Sequence, residues 1–243
     1  MESEHATAEM RAARFPVTPK LLGSSIKIAK GEKRGILTAI LYLSPATESG
    51  RNLCPWATAG CAAACLGHSS GQMTFSTSKN SRIWKTALFL YARPVFDMLL
   101  HNEIDAHVRK AHALGFKPAV RLNGTSDCLP AWSFAEAWPG VQFYDYTKSV
   151  LRARRFAAAF YPANYHVTFS RSGENDAECI EILGLGGNVA VVFSGELPHR
   201  WQGYPVLDAD DTDLRFDDAP GHVAGLSFKG NRADVAGSFV VQG

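Results

Sequence analysis

The chain has 243 residues, of which 46% are hydrophobic and 20% are charged, and its formal net charge is +2. These values are typical of a globular protein with a substantial core, and the small net charge argues against a strongly basic nucleic-acid surface. The longest apolar run, residues 35–43, is too short to cross a bilayer. The charged start of the sequence lacks the apolar core of a signal peptide. We therefore expect a cytoplasmic protein that contacts no membrane.

The first half of the sequence contains an arm, a strand and a long helical pattern. Residues 1–20 are predicted to form a flexible N-terminal arm, and residues 21–243 a single domain. The apolar run at residues 35–43 is typical of a buried strand. After a loop that contains cysteines, apolar residues recur at helical spacing from about residue 79 to residue 114. Pro94 lies within this pattern and should kink or split the helix.

Beyond Gly115, predicted strands alternate with predicted helices. Strand patterns begin near residues 117, 141, 165, 188, 204 and 222, and helical patterns separate the first four. Alternation of this kind implies βαβ units and a parallel sheet. With the earlier strand there are about seven strand candidates, so we predict an α/β fold, namely a full or partial (β/α) TIM-like barrel with parallel strands. A doubly wound open sheet is the alternative.

Each predicted strand runs into polar residues at its C-terminal end. Parallel folds bind ligands at this end, because the βα loops converge there. The alternative is that these residues cap helices, since Ser, Thr, Asp and Asn are preferred caps. We predict that a set of them binds a cofactor or substrate: Asn123, Thr125, Ser126, Asp127, Tyr146, Lys148, Ser170, Arg171 and Glu174.

Three of the five cysteines, Cys54, Cys61 and Cys65, lie together directly after the first predicted barrel strand. The small residues between them leave room for the backbone to wrap a bulky inorganic centre. A bound metal would remove the thiol protons and relieve the repulsion among three thiolates. Because disulfides are rare in the cytoplasm, the cluster indicates metal or redox chemistry.

A [4Fe–4S] cluster is the centre that these thiols favour, because such clusters accept varied cysteine spacings. His68 could instead complete a Cys3His zinc site, and buried structural thiols without a metal are a third alternative. Cys128 follows the strand that begins near residue 117, and it is either a fourth ligand or a free packing thiol. Cys179 lies within a helical pattern and is expected in the core.

Three thiolates on a loop after the first strand of a parallel barrel resemble the radical S-adenosylmethionine (SAM) enzymes. In those enzymes three cysteines hold a [4Fe–4S] cluster whose open iron chelates SAM. The resemblance implies that "LNGTSD", residues 122–127, meets the SAM amino group and that "SRSGEN", residues 170–175, holds the ribose. The cysteines of this chain are spaced farther apart than in those enzymes, and Ala64 stands where they carry an aromatic residue.

The segments "CPWATAGCAAACLG", "RLNGTSD", "FYDYTKS" and "VTFSRSGEN" together resemble the phage gene-88 protein family, over about residues 21–229. This second resemblance implies a phage protein that acts in the cytoplasm of an infected bacterial host, with a shared cysteine loop. It implies no particular reaction.

Two classes of function follow from these observations. The first is a radical SAM-like or related redox enzyme with a small-molecule substrate. The second is a non-catalytic iron–sulfur protein that transfers electrons to a redox partner protein or senses redox state or iron. A zinc-stabilised binding module is the third and weakest reading. An enzyme needs an exchangeable iron position, whereas an electron carrier needs a fourth protein ligand such as Cys128.

Overall fold

The computed structural model describes residues 6–16, 19–24, 29–69, 71–229 and 238–243. Its strands are β1 (Leu22–Gly23), β2 (Ile36–Leu41), β3 (Lys117–Arg121), β4 (Gln142–Thr147), β5 (Tyr165–Ser170), β6 (Asn188–Ser194), β7 (Arg200–Trp201), β8 (Tyr204–Asp208), β9 (Val223–Ser227) and β10 (Val240–Gln242). Its α-helices are α1 (Ala8–Ala12), α2 (Ala59–Ala63), α3 (Leu66–Ser69), α4 (Ser76–Tyr91), α5 (Arg93–Ala113), α6 (Ala131–Ala137), α7 (Val150–Ala157) and α8 (Asp176–Gly184). Short 3-10 helices lie at Lys30–Arg34, Gly71–Thr74 and Arg215–Asp217.

The predicted strands are all present, as β2, β3, β4, β5, β6, β8 and β9. The other three strands have two or three residues each, which is too short for a periodic pattern in the sequence. The long helical pattern divides at Ala92 into α4 and α5, and Pro94 lies in the first turn of α5. Proline has no backbone N–H, but the N–H groups in the first turn of a helix have no partner within the helix. Pro94 therefore costs no helical hydrogen bond at that position. Within the described ranges, no helix is long and apolar enough to cross a membrane.

The strands form one sheet in the order β1-β2-β3-β4-β5-β6-β9-β8-β7. Pairing is parallel from β2 through to β8, and the short edge strands β1 and β7 are antiparallel to their neighbours. β5 pairs with residues 188–190 of β6, and β10 pairs with residues 192–194 on the same side of that strand. The protein therefore has a mixed α/β fold with a mostly parallel ten-stranded sheet. Over the described residues the sheet is not closed, and β9 lies between β6 and β8 rather than following chain order.

One face of the sheet packs against helices α4 to α8. Val120 and Val167 share a core cluster with Phe96 of α5 and Phe134 of α6, and Phe169 continues this face into a cluster with α7 and α8. Side chains alternate between the two faces along a strand. The residues between these core positions therefore point to the opposite side of the sheet, which we call the inner face.

The inner face is covered by the segment between β8 and β9 rather than by an α-helix of the described chain. Ala119 of β3 and Tyr144 of β4 pack there against Leu214, with Phe216 beside them. The ring of Phe216 lies 5.3 Å from that of Tyr144 in an edge-to-face contact. This segment therefore positions charged and polar groups against the middle of the sheet.

The helix α1 lies outside the sheet and packs on α4. Met10 is buried against Ile83 and Ala87, and the Thr7 side chain caps the helix by accepting a hydrogen bond from the Met10 amide. The flexibility of the arm over residues 1–20 and the single domain over residues 21–243 stay predictions.

Candidate metal centre

Cys54 lies where the loop that leaves β2 meets the end of β3. Its sulfur accepts a hydrogen bond from the Ala46 amide at 3.4 Å and donates one to the Thr125 carbonyl at 3.6 Å. The Asn52 side chain accepts a hydrogen bond from the Cys54 amide at 2.9 Å. The thiol therefore lies at the carboxyl ends of two neighbouring parallel strands, which is the edge where such sheets bind ligands.

Cys61 and Cys65 are positioned by the short helix α2. Thr58 caps this helix, because its side chain accepts a hydrogen bond from the Cys61 amide at 3.2 Å. The same hydroxyl donates to the Ser172 carbonyl at 2.8 Å, which ties α2 to the loop after β5. Cys65 follows α2 and receives a hydrogen bond from the Gly67 amide. A Cβ on Gly67 would lie 2.7 Å from the Pro45 Cγ in the loop after β2, so a residue other than glycine fits here only if Pro45 moves.

The three thiols interact electrostatically with one another and with two cations. Burial raises the pKa of Cys54 to about 11, and the Cys65 thiolate contributes to the rise. Burial also raises the pKa of Cys65, with a contribution from Cys61. The Lys148 ammonium opposes both shifts, and the Arg82 guanidinium opposes that of Cys65. The neighbouring positive charges therefore offset only part of the cost that burial places on negative charge at these thiols.

Cys128 lies beside the same cluster. Burial raises the pKa of Cys128 to about 12, the Cys54 thiolate contributes to the rise, and a hydrogen bond with Ser126 opposes it. Cys179 is fully buried in the core that α8 forms with the sheet, as its helical pattern indicated. The structure thus brings Cys128 next to the thiol loop and keeps Cys179 within the core.

The spacing of these side chains differs from that of a single-ion site. Across the part of the chain that the structure describes, no group of three or more His, Cys, Asp or Glu side chains could hold a metal ion. The side chain of His68, the candidate for a Cys3His site, lies outside the described residues. Ligands bonded to one zinc ion at about 2.3 Å stand only about 3.8 Å apart. A cubane cluster binds each thiolate through a separate iron, so it suits thiols that stand farther apart.

Arg82 of α4 holds the loops on both sides of the cysteines. Its side chain is buried and forms a two-pronged ion pair with Glu48, with Nε to Oε2 at 2.8 Å. Its Nη1 donates to the Met73 carbonyl at 3.0 Å, and its Nη2 donates to the Gly67 carbonyl at 3.1 Å. One guanidinium therefore joins the segment before Cys54, the segment after Cys65 and the start of α4.

The predicted ligand-binding residues after β3 are engaged in hydrogen bonds within the rim. Asn123 is buried, and its amide N and Nδ2 donate to the Asp145 carboxylate at 2.8 and 2.9 Å. Its Oδ1 accepts a hydrogen bond from the Leu129 amide at 2.9 Å. The Thr125 hydroxyl donates to the backbone after β2, and the Ser126 hydroxyl to Asn123 at 3.4 Å. These bonds brace the loop that carries Cys128.

Asp127 links the ends of β3 and β4. It accepts hydrogen bonds from the Thr147 hydroxyl at 2.8 Å, the Lys148 amide at 2.8 Å and the Arg152 guanidinium at 3.0 Å. That guanidinium also lies over the ring of Trp56, 5.1 Å from its centroid. Trp56 belongs to the cysteine loop and is 42% exposed. The Asp127 network therefore extends to the solvent-facing side of the thiol site.

The remaining predicted residues lie at different places around the rim. Tyr146 is on the inner face, with the Arg121 guanidinium 4.5 Å from its ring centroid. Ser170 is buried at the end of β5, whereas Glu174 is exposed on the following loop. Lys148 carries the positive charge that acts on the thiols.

The C-terminal residues form a wall of the site that sequence reasoning missed. Arg171 donates to the Phe239 carbonyl at 3.1 Å and also to that of Ser238. A Cβ on Gly60 would lie 3.2 Å from the Phe239 Cβ, and the Lys148 ammonium lies 5.8 Å from the centroid of the Phe239 ring. A strand of three residues has no periodic signal in the sequence.

These features define a mixed α/β protein with a thiol cluster at the carboxyl edge of a parallel sheet. The family model described as gene product 88 matches residues 19–242. The chain therefore belongs to the gene product 88 family, the phage family that its motifs resemble. No curated protein and no solved structure matches the chain at a significant level.

Proposed function

We propose that the chain is an iron–sulfur protein in which Cys54, Cys61 and Cys65 hold a [4Fe–4S] cluster. The observation that carries this proposal is the placement of three half-buried thiols in one loop at the carboxyl edge of the sheet, with Cys65 interacting electrostatically with both Cys54 and Cys61. Thiolates are the ligands of such clusters, and neighbouring cations stabilise the thiolate form that binds metal. The donor set therefore fits the group.

The backbone around the thiols also suits a cluster. The Ala46 amide donates to the sulfur of Cys54, and the Gly67 amide to that of Cys65. Hydrogen bonds of this kind orient metal-bound sulfur and set the potential of the centre. When bound, a [4Fe–4S] cluster supplies one-electron redox chemistry.

We propose a partial (β/α) barrel as the frame of this site. Helices α4 to α8 pack on one face of the sheet, which is the arrangement of a barrel, whereas a doubly wound sheet carries helices on both faces. The described edges do not pair, so the barrel in this proposal is incomplete.

The segment between β8 and β9 supports a curled sheet. Ala209 donates from its amide to Gly225 of β9 at 2.8 Å, and Leu214 packs against Gly31 just before β2. The five residue steps from Ala209 to Leu214 span at most about 18 Å. In a flat sheet the five spacings from β2 to β9 would add to about 24 Å. Curling brings the two sides of the sheet within reach of this segment.

The activity we favour is that of a radical SAM-like or related redox enzyme with a small-molecule substrate. Three cysteine ligands leave one iron position for SAM or a substrate. Lys148 would bind an acidic group of that ligand through its ammonium, and Phe239 would exclude water from the thiols on the side of α2. Asp127 would keep Arg152 and the Trp56 ring in place at the outer side.

A second candidate function is electron transfer or redox and iron sensing, with a redox partner protein. The position of Cys128 beside Cys54 favours it, since a fourth thiolate would complete the cluster and leave no exchangeable iron. Replacement of Cys128 by Ala distinguishes the two. If the cluster still assembles in Cys128→Ala, the result supports the enzyme. If the cluster assembles in the unaltered protein but not in Cys128→Ala, the result supports the electron carrier.

The first experiment is anaerobic purification, followed by iron and zinc analysis and by optical and electron paramagnetic resonance spectra with and without SAM. We expect a brown protein with about four irons per chain, and a reduced spectrum that changes on addition of SAM. A spectrum that SAM does not change would favour the electron carrier. A colourless protein that contains zinc would overturn both and support a zinc-stabilised binding module.

A further inference from the structure

A group of buried polar atoms without hydrogen-bond partners lies on the inner face of the sheet. In the described chain, all such side-chain atoms except Ser44 Oγ belong to this group. They are Thr38 Oγ1, Arg121 Nε, His166 Nε2, Thr168 Oγ1, Arg215 Nε and Nη1, and Asp218 Oδ2. Native proteins leave few buried polar atoms unpaired, and each calls for a physical explanation. Their concentration on one face indicates a common cause.

Strand register and side-chain contacts place part of this group near Tyr146. Thr168 is paired with Tyr146, and the Arg121 guanidinium lies over the Tyr146 ring. Arg215, 1% exposed, lies in the covering segment and acts electrostatically on both Tyr146 and His166. The Arg121 guanidinium therefore borders Tyr146, with the Thr168 hydroxyl on the adjacent strand. The hydrogen bond from Arg121 to Asp213 brings the covering segment, with Arg215 two residues farther on, to the same part of the inner face.

The protein groups around Arg121 and Arg215 accept hydrogen bonds from only some of the N–H donors of each guanidinium. Arg121 donates from Nη1 to Asp213 at 3.1 Å, and Arg215 donates from Nη2 to the Thr212 carbonyl at 2.8 Å. Arg215 Nε stands 3.3 Å from Asp218 Oδ2 as an ion pair without hydrogen-bond geometry. The unpaired atoms that remain are mainly N–H and O–H donors, and an unmade buried donor on a charged group costs more than a neutral one.

We infer that the inner face binds a small ligand through its carboxylate or phosphate group, held between Arg121 and Arg215 with the hydroxyl of Thr168. Such a group brings several acceptor oxygens and matches the planar fork of a guanidinium. The Arg121 side chain is 16% exposed, so part of one of the two arginine side chains is open to solvent. This inference does not rest on the iron–sulfur assignment, since none of these residues contacts a cysteine thiol in the described contacts.

The test is the affinity of the purified full-length protein for inorganic phosphate and for acetate, measured by calorimetry and by the shift of the thermal midpoint. Sodium chloride at matched ionic strength is the control for non-specific salt effects. We expect at least one of the two anions to raise the midpoint beyond the chloride control. Equal midpoints in all three salts would overturn the inference and leave ordered water as the occupant.

Two conservative variants provide a second test that leaves the buried arginines in place. Thr168→Val replaces a fully buried hydroxyl by a methyl group of the same shape. If an anion accepts from that hydroxyl, the variant binds it about tenfold more weakly, which is the loss of one hydrogen bond to a charged group. Ser44→Ala removes another buried, unpaired hydroxyl away from the inner face and should leave the affinity unchanged. Unchanged affinity in Thr168→Val, or an equal loss in Ser44→Ala, would overturn the inference.

Discussion

Phe239, near the C-terminus, packs on Gly60, the residue before Cys61: a Cβ on Gly60 would lie 3.2 Å from the Phe239 Cβ. The Phe239 ring also faces the Lys148 ammonium. We predict that Phe239→Ala opens this side of the thiol site, because the ring shields the backbone that carries Cys61. In iron-free protein, alkylation of Cys61 should become several-fold faster, as followed by mass spectrometry of labelled peptides.

Gln242→Ala is the matched control for this prediction. Gln242 lies on β10, the strand that directly follows Phe239, and its side chain accepts a hydrogen bond from the Ser194 hydroxyl at 2.9 Å, away from α2. If both variants speed the labelling of Cys61 equally, the cause is loosening of β10 as a whole. Shielding by Phe239 itself would then be ruled out.

Arg82→Gln should destabilise the fold and the thiol loop together. The change removes the Arg82 guanidinium from the buried Glu48 carboxylate and frees the Gly67 and Met73 carbonyls. Removing one partner of a buried ion pair costs about 3 to 5 kcal/mol. We expect a loss of about that size in the free energy of unfolding, measured with urea on iron-free protein.

Arg109→Gln is the control for the loss of an arginine from an ion pair. Arg109 pairs with Asp105 on the exposed side of α5, and an exposed pair of this kind contributes less than about 1 kcal/mol. Similar losses in the two variants would contradict the role of Arg82 in joining the loops.

The fold was predictable from the sequence where the elements are long and periodic. The alternation after Gly115 predicted the parallel strands and the helices between them, and Pro94 predicted the break between α4 and α5. The insertion of β9 between β6 and β8 was not predictable, because the choice of neighbouring strand depends on contacts that one strand's pattern does not contain. The strand β10 was not predicted, because three residues are too few to show an alternating pattern.

The position of the candidate site in the fold was predictable from the sequence. The hydrogen bonds and ion pairs among its side chains were not. The thiol loop lies after β2, and the polar residues lie at the ends of β3, β4 and β5, as predicted. Which polar groups satisfy one another could not be predicted, since Asp127 meets Arg152 and Arg82 meets Glu48 only once the loops have folded. Residue type alone does not separate a side chain that braces the rim from one that meets a ligand.

Lys148→Gln should make the thiols less reactive. The Lys148 ammonium lowers the pKa of Cys54 and of Cys65, against the larger rise that burial causes. Its removal leaves less thiolate at a given pH, and the thiolate is the reacting form. We expect alkylation of Cys54 in iron-free protein at pH 8 to slow modestly, since burial rather than this ammonium dominates the pKa of the thiol.

Lys229→Gln is the control, because it removes the same charge at another place. Lys229 lies on the loop after β9, and its ammonium pairs with Asp210 at 2.9 Å. This variant should leave the alkylation of Cys54 unchanged. A rate that is unchanged in Lys148→Gln as well would show that this ammonium does not act on the thiols in solution.

His166 should make the fold sensitive to mild acid. Burial lowers the pKa of His166 to about 4, and the Arg215 guanidinium adds to that shift. The folded state therefore disfavours the charged imidazole, while the unfolded chain protonates it near its ordinary pKa of 6.5. Between these two values the unfolded state binds more protons, so stability falls as the pH is lowered through this window. The separation of the two pKa values corresponds to about 3 kcal/mol.

His166→Gln removes this titration, so the comparison is between two curves of unfolding free energy against pH. We expect the stability of the natural sequence relative to His166→Gln to be constant above pH 7 and to fall by about 3 kcal/mol between pH 6.5 and pH 4. A difference that stays constant over that window would mean that the imidazole titrates alike in the folded and unfolded states. Burial and the Arg215 guanidinium would then not hold the imidazole neutral in the fold, and the surroundings of His166 would be more open to water than the packing of the segment between β8 and β9 indicates.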